Sequence, residues 1–407
     1  MAKTLLIIGA GAEQIPAYQS AHARGLTVIG SDMNPDAPAF AHADHRLLAS
    51  TRDPQQTLDA VAALAGRLRI DGVMTIANDV PYTVAVVAES LGLPGIAVDS
   101  ARLVSNKLLM KQAFQRHGVA CPWFASVDSP AQLATLMAEA GYDRYVIKPV
   151  DGRGARGVLQ VDRNSDLAWA FAESRRWGES GALIVEAFIP GLQLSTESFL
   201  LGGRCFTAGI AERNYEFLDR FSPYIIENGG TIPAPLSDDL RHRIDRLLEA
   251  GAAALGVTEG VVKGDLIITP DGEPVIVELA LRLSGGWFAT HQIPAASGVS
   301  LVDAVISHAL GEPVDAAALT PTRSRATAVR YWFPPAGTIR AIHGEDKLRH
   351  MPGLLTYGFF RREGDDQPEI RMHPDRFGYV IVSADSRDEA LARVEECLRT
   401  VTIEVSP

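Results

Sequence analysis

Residues 145–158, Tyr-Val-Ile-Lys-Pro-Val-Asp-Gly-Arg-Gly-Ala-Arg-Gly-Val, set the tightest limit on what this chain can fold into. Tyr145-Val146-Ile147 is a short apolar run with a β-branched centre, the pattern of a buried strand, and Pro149 ends it just after Lys148. Gly152, Gly154 and Gly157 follow with Arg153 and Arg156 between them, and Val158 to Val161 resumes an extended pattern. Glycine lets backbone N–H groups converge on an anion with no Cβ in the way, and the arginines add charge. The segment is a strand–loop–strand unit with a cation at its entrance. It differs from the phosphate motif that opens a helix and carries Gly-Lys-Ser/Thr. Taken alone, it fits an anion cradle and a mobile hairpin with a solvated lysine equally well.

A chain of 407 residues has room for about three domains. Its 47 % apolar and 21 % charged residues are ordinary for a protein that buries sizeable cores. The net charge of −11 argues against non-specific nucleic-acid binding, which needs clustered Lys and Arg, yet leaves room for small phosphorylated ligands in a local positive pocket. Cys121, Cys205 and Cys397 are odd in number and widely spaced, with no disulfide or zinc pattern, which points to a reducing compartment. Leu5 to Ile8 is too short for a signal-peptide core and no apolar run reaches membrane-spanning length, so a cytoplasmic protein away from the membrane is expected.

The N-terminal part alternates strand and helix: a strand at 4–8, a helix at 15–24 closed by Gly25, a strand at 26–30, a helix at 54–67, a strand at 72–76 and a helix ending at Ser90. Gly9, Gly11 and Asp32 outline a dinucleotide fingerprint, but Gln14 stands where the third glycine belongs. A nicotinamide site is therefore not favoured, and the two glycines also suit a plain tight turn. Further helices are read from Lys107 to Gly118, over 130–140 and over 240–255, with strands at 119–124, 182–185 and 193–201. The strand ending at Glu186 runs into Ala187-Phe188-Ile189-Pro190, which fits either a purine-edge contact or a strand leaving the core. Residues 212–236 are polar and aromatic without periodicity, the character of a binding loop.

Two strands at 261–268 and 274–279 form a hairpin, with Asp265 on one and Glu278 on the other. Alternation puts Val275, Val277 and Leu279 on one face and Ile276 and Glu278 on the other. Carboxylates within apolar strands need a cation, and magnesium takes carboxylates together with phosphate oxygens. Pairing with Arg282 or Lys263 is the alternative. From about Pro321 a small α+β region begins, with strands at 326–333 and 377–383, a helix at 388–400 and a last strand at 401–405. Arg330 on its first strand is within reach of a substrate carboxylate. The ten histidines show no metal-ligand spacing.

Lys107, Lys148, the Gly152–Gly157 loop, Glu186 to Ile189, Asp265, Glu278 and Arg282, in that order, resemble the ATP-grasp superfamily, in the branch of carbamoyl-phosphate-synthetase-like, biotin-carboxylase-like and L-amino-acid-ligase-like enzymes. The resemblance covers nearly the whole chain. It implies an α/β pre-ATP-grasp doubly wound domain at 1–106 and an ATP-grasp fold at 107–310, whose two α+β subdomains clamp ATP with a lid at about 112–185. A C-terminal α+β region follows at 311–407. It implies that Lys107, Lys148, Gly152, Gly154, Arg156 and Gly157 meet the phosphates and that Glu186, Phe188 and Ile189 meet adenine. Gln193 and Glu197 would lie near the ribose. Asp265 and Glu278 would hold one or two Mg²⁺ or Mn²⁺ ions, and Arg282 with Lys148 would act in catalysis. Relatives read Glu-x-Asn-x-Arg, whereas this chain has Ala280 between Glu278 and Arg282, which puts the second ion in doubt.

The implied chemistry is carboxylate activation by ATP to an acyl phosphate, then attack by an amine with release of ADP and phosphate. The segment Glu227-Asn-Gly-Gly-Thr-Ile-Pro233 resembles the substrate loop of amino-acid ligases. Arg213, Arg220, Ser284, Gly285, Gly286 and Arg330 are its candidate substrate contacts. The expected partners are small carboxylates and amines, with a homodimer allowed. The other readings are a carboxylase or carbamoyl-forming subunit and a nucleotide-binding regulator without turnover.

Overall fold

The computed structural model describes residues 2–64 and 68–406. Four short strands, β1 (Thr4–Ile8), β2 (Thr27–Asp32), β3 (His45–Leu48) and β4 (Gly72–Met74), make a parallel sheet in the order β3-β2-β1-β4. Helices on both faces bury it, which is why β1 is buried at every position, with four apolar residues after Thr4, rather than alternating. Gln14 explains the missing third glycine. Its side chain turns inward and donates to the Ile76 carbonyl at 2.8 Å, bracing the turn that a dinucleotide would occupy. The helix expected at 54–67 runs over Pro54–Ala62, and the last residues of that expectation lie outside the described residues.

The lid is a four-stranded antiparallel sheet of β5 (Phe124–Val127), β6 (Tyr145–Pro149), β7 (Leu159–Val161) and β8 (Leu183–Ala187), in the order β5-β8-β6-β7. Its first strand begins where the one expected at 119–124 ends, because Pro122 interrupts the run and the residues before it pack on the body. The lid is also shorter than the 112–185 implied. The helix Lys107–Arg116 puts Met110, Ala113 and Phe114 into the body's core beside Leu248 and Leu279.

The body is an eight-stranded sheet in the order β13-β12-β9-β10-β11-β14-β18-β16, with β9 (Leu192–Leu201), β10 (Arg204–Arg213), β11 (Gly230–Ile232), β12 (Gly260–Ile268), β13 (Pro274–Ala280), β14 (Ala326–Trp332), β16 (Leu354–Phe359) and β18 (Gly378–Ala384). The C-terminal α+β region is therefore continuous with the body: β14 pairs with β11 and carries the sheet onward. Gly229 permits that junction. It lies at φ +74, and a Cβ there would come within 2.1 Å of the Val329 carbonyl oxygen. A side sheet of β15 (Gly337–His343), β17 (Asp366–Gln367) and β19 (Thr402–Ser406) completes the fold.

Strict alternation fails at one instructive place. The β12–β13 register slips between Asp265 and Leu266, so that Asp265 faces Glu278 while Leu266 faces Ile276. Val277 is the extra residue of the bulge, and both it and Glu278 turn to the same cavity while Ile276 and Leu279 stay in the core.

Candidate functional site

One cavity of about 880 Å³ lies between lid, body and N-terminal domain, and the C-terminal region reaches its far end. At the lid side, Glu186 on β8 is buried between two lysines: Lys148 Nζ lies 3.0 Å and Lys111 Nζ 3.4 Å from its oxygens. Burial alone would raise the Glu186 pKa, but the two ammonium charges outweigh it and hold the carboxyl below its ordinary range. Burial pulls Lys111 down in turn. Glu186 Oε1 and Lys111 Nζ have no hydrogen-bond partner here, so the carboxylate keeps an unused acceptor. Phe188, Ile189 and Gln193 line the cavity beside it, and Arg144 stacks 4.2 Å over the outer face of the Phe188 ring.

The glycine loop folds over the middle of the cavity. Gly154, Ala155 and Gly157 all have left-handed φ, which coils the chain tightly. Lys107 ties this loop to the body, its Nζ donating to the Gly152 carbonyl at 2.9 Å and lying 3.3 Å from Glu278. Gly152, Arg153 and Gly154 line the cavity, whereas Arg156 and Gly157 do not: Arg156 folds back on the Arg153 carbonyl, and Gly157 packs beneath the loop against Ser174 and Trp177.

On the floor, Asp265 and Glu278 face each other across β12 and β13, with Lys263 and Ala280 as the next cross-strand pair on that face. Asp265 contacts Lys263 and accepts from Arg213 at 2.9 Å. Burial raises its pKa, but these cations win and hold it well below the carboxylate range. Two opposed carboxylates fit one hard divalent ion shared with phosphate oxygens. Among the described residues no three His, Cys, Asp or Glu side chains gather as a larger metal cluster. Arg282 follows β13 and points at the N-terminal domain, where Asp79 accepts from its Nε at 2.7 Å.

The far end brings Arg213 and Gly286, both expected from the sequence, together with groups that the sequence did not single out. Arg213 bridges Asp265 and Glu227, the latter at 2.7 Å. Arg376, from the C-terminal region, stacks 3.9 Å over Tyr331 and donates to the Glu227 carbonyl. His373 donates its backbone N–H to the Gly154 carbonyl at 3.2 Å, so the turn that carries Arg376 also touches the glycine loop. Trp287 stacks at 3.6 Å on Tyr379, with Phe360 beside it, and forms an aromatic wall. Glu13 crosses from the first turn of the chain to accept from the Gly286 N–H, and loss of solvent pushes its pKa up.

Several expected contacts fall elsewhere. Glu197 shares the sheet face of Lys263 but is fully buried, accepting the Ser284 N–H at 3.2 Å on both oxygens; it does not line the cavity, and Ser284 is buried with it. Arg220 is exposed against Phe217 and the Phe333 carbonyl. Arg330 points to the opposite face of β14, 3.7 Å from Glu395. Gly285 and Gly286 do line the cavity, as do Lys107, Lys148, Gly152, Gly154, Glu186, Phe188, Ile189, Gln193, Arg213, Asp265, Glu278 and Arg282. Of the residues missed, Lys111 carried a usable signal, one helical turn after Lys107; Lys263, named only as an alternative partner for the acids, does contact Asp265, two residues on along the same strand face. Arg376 and His373 sit in an irregular stretch and carried none.

A lid, a row of cations and an opposed carboxylate pair in one cleft suit a nucleoside triphosphate with a divalent ion. Comparison with known proteins agrees. The chain matches an ATP-grasp N-terminal domain over residues 18–95, an ATP-grasp domain over 104–286 and the L-amino acid ligase C-terminal domain 2 over 330–406. It is 27 % identical over 359 residues to the uncharacterized protein y4rH of Sinorhizobium fredii, covering 86 % of this chain and 72 % of that one. It is 28 % identical over 196 residues to a D-alanine–D-alanine ligase of Laribacter hongkongensis, covering 47 % and 61 %. The fold is that of an L-amino acid ligase from Bacillus licheniformis, with a TM-score of 0.83, 23 % identity and coverage of 100 % and 99 %. The chain belongs to the ATP-grasp superfamily. Within it, the chain is an ATP-dependent carboxylate–amine ligase.

Proposed function

We propose that the two substrates are amino acids or close analogues, joined through an acyl phosphate in the cavity described above. The observation that carries this reading is the division of one cavity into a cationic middle and an amphipathic far end. Arg213, Arg376 and Arg282 offer forked donors to a substrate carboxylate, Glu13 offers an acceptor to an ammonium group, and Trp287 with Phe360 offers an apolar wall to a side chain.

In this reading Glu186, on the cavity wall, accepts from the adenine amino group, and Lys107 and Lys148 hold the phosphates. Asp265 and Glu278 would hold magnesium, which lowers the charge of the β- and γ-phosphates. A substrate carboxylate oxygen attacks the γ-phosphorus and ADP leaves; the amine then attacks the acyl carbon and phosphate leaves with the surplus proton. Arg282 stabilises the charge that grows on the transferring group, and the lid keeps water from the acyl phosphate. The three free cysteines favour a reducing, cytoplasmic setting.

The test is phosphate release from Mg-ATP across a panel of amino acids and simple carboxylates, singly and in pairs, with Lys148→Ala as control. Release that needs a pair of amino acids and vanishes in the variant is expected. Release driven only by non-amino acids would sink the substrate assignment.

A further inference from the structure

We propose that the Lys263 ammonium takes the place of a second metal ion, so that this chain works with a single divalent cation per nucleotide. The inference rests on the reading of Asp265 and Glu278 as the metal pair.

The cross-strand register sets Asp265 against Glu278 and Lys263 against Ala280, and all four residues line the cavity as a small square on its floor. One side of the square is acidic on both strands. The other side has a methyl group on β13 and an amine on β12. A second ion would sit about 3.5–4 Å from the first and needs oxygen ligands of its own. Ala280 has none to give, and a protonated lysine repels the ion and cannot ligate it.

The neighbouring acids do not make up the deficit. Glu197 on β9 is in register with Lys263 and shares its sheet face, but it has no exposed surface, is occupied by the Ser284 N–H and is absent from the cavity wall. Asp265 already has Lys263 on one oxygen and Arg213 on the other. The Lys263 side chain thus lines the cavity with its ammonium on Asp265, beside the metal pair, where a nucleotide's terminal phosphates need a second positive centre. An ammonium is a compact point charge able to serve there, held in position by its bond to Asp265. The alanine leaves the lysine room, and the lysine makes the missing ligand unnecessary.

The experiment counts metal directly. The full chain is loaded with the imido analogue of ATP, which cannot be cleaved at the γ-phosphate, and titrated with Mn²⁺ while free Mn²⁺ is followed by electron paramagnetic resonance and bound analogue by equilibrium dialysis. One Mn²⁺ per bound analogue is expected for the wild-type chain and for Lys263→Arg. The double variant Lys263→Met with Ala280→Asn is expected to take up a second Mn²⁺ at least tenfold more tightly than any weak binding seen in the wild type. Two tight ions in the wild type overturn the inference, as does analogue bound with none. A double variant that folds by its melting curve yet still stops at one ion overturns the part given to Lys263; should it not fold, Lys263→Met alone makes the same comparison. Failure of the chain to bind the analogue at all would instead bring down the nucleotide site on which the inference stands.

Discussion

Arg282 and Asp79 join two domains at the head of the cavity, the guanidinium Nε donating to the carboxylate at 2.7 Å. The contact follows from a backbone junction: Ile76 forms a bridge to Leu283, and the Ala77 N–H donates to the Leu283 carbonyl at 3.0 Å. The end of β13 is thereby sewn to the N-terminal sheet, and Asp79 lands beside Arg282. Burial raises the Asp79 pKa, but the arginine outweighs it and keeps the acid ionised. The pair fixes the guanidinium before substrate arrives, which is the preorganisation that charge stabilisation in a transition state requires.

Replacing Arg282 with alanine should lower kcat by roughly 100-fold or more, the usual size for losing one aligned donor at a developing charge. Asp79→Asn should cost much less, because the amide oxygen still accepts from the arginine while its charge is gone. Steady-state kinetics on both variants, with melting curves to exclude misfolding, checks the order. Equal losses would mean that the arginine serves the domain junction and not the chemistry.

Lys111 makes a second test, since it lies behind Glu186 and off the cavity wall. Lys111→Met removes one of the two charges holding that carboxylate ionised in a buried site. Nucleotide binding should weaken by about tenfold, on the order of 1.4 kcal/mol, as measured by calorimetry with ADP. Retention of full affinity would show that Lys148 alone suffices to orient Glu186.

Much of this arrangement could be read from the chain because its strands are buried on both faces. Tyr145 to Ile147 and Val261 to Ile268 form dense apolar runs whose few polar members stand out, and Lys148, Asp265 and Glu278 were legible for that reason. Strand alternation misled at Val277, since a bulge leaves no mark in the pattern of apolar residues. Glu197 looked like a ligand contact because it alternates on β9, yet an acid can also be buried to cap a backbone N–H, and sequence does not separate the two. Arg330 failed for the opposite reason: which face of β14 meets the cavity depends on its pairing with β11, across nearly a hundred residues of chain. Arg376 was invisible because its position depends on the turn at His373–Asp375, an irregular segment with no periodic signature.

Arg376 can now be tested as a carboxylate contact. Its stacking on Tyr331 and its bond to the Glu227 carbonyl leave the rest of the fork facing the cavity. Arg376→Lys keeps the charge but loses the planar fork and the stacking, so the KM for the acid substrate should rise by roughly tenfold while kcat changes little, as befits lost ground-state binding. Initial rates at varied acid and saturating ATP give the split. A fall in kcat with constant KM would move Arg376 from substrate binding to the transition state.

Glu197 predicts a pH dependence that belongs to the fold and not to turnover. Burial raises its pKa from 4.5 to about 7, against the lowering pull of Ser284 and Arg282. The folded chain therefore binds the proton more tightly than the unfolded chain does. The stabilisation from that proton is fully present below about pH 4.5, shrinks as pH rises, and is gone above about pH 7. The difference of two to three pKa units corresponds to about 3 kcal/mol. Glu197→Gln, neutral at every pH and still able to accept the Ser284 N–H, should lack this decline. Urea unfolding at pH 5 and pH 8 should show the variant gaining up to about 3 kcal/mol on the wild type between the two. Parallel profiles would mean that the acid stays ionised throughout, held by the neighbouring charges of Arg282 and Lys263.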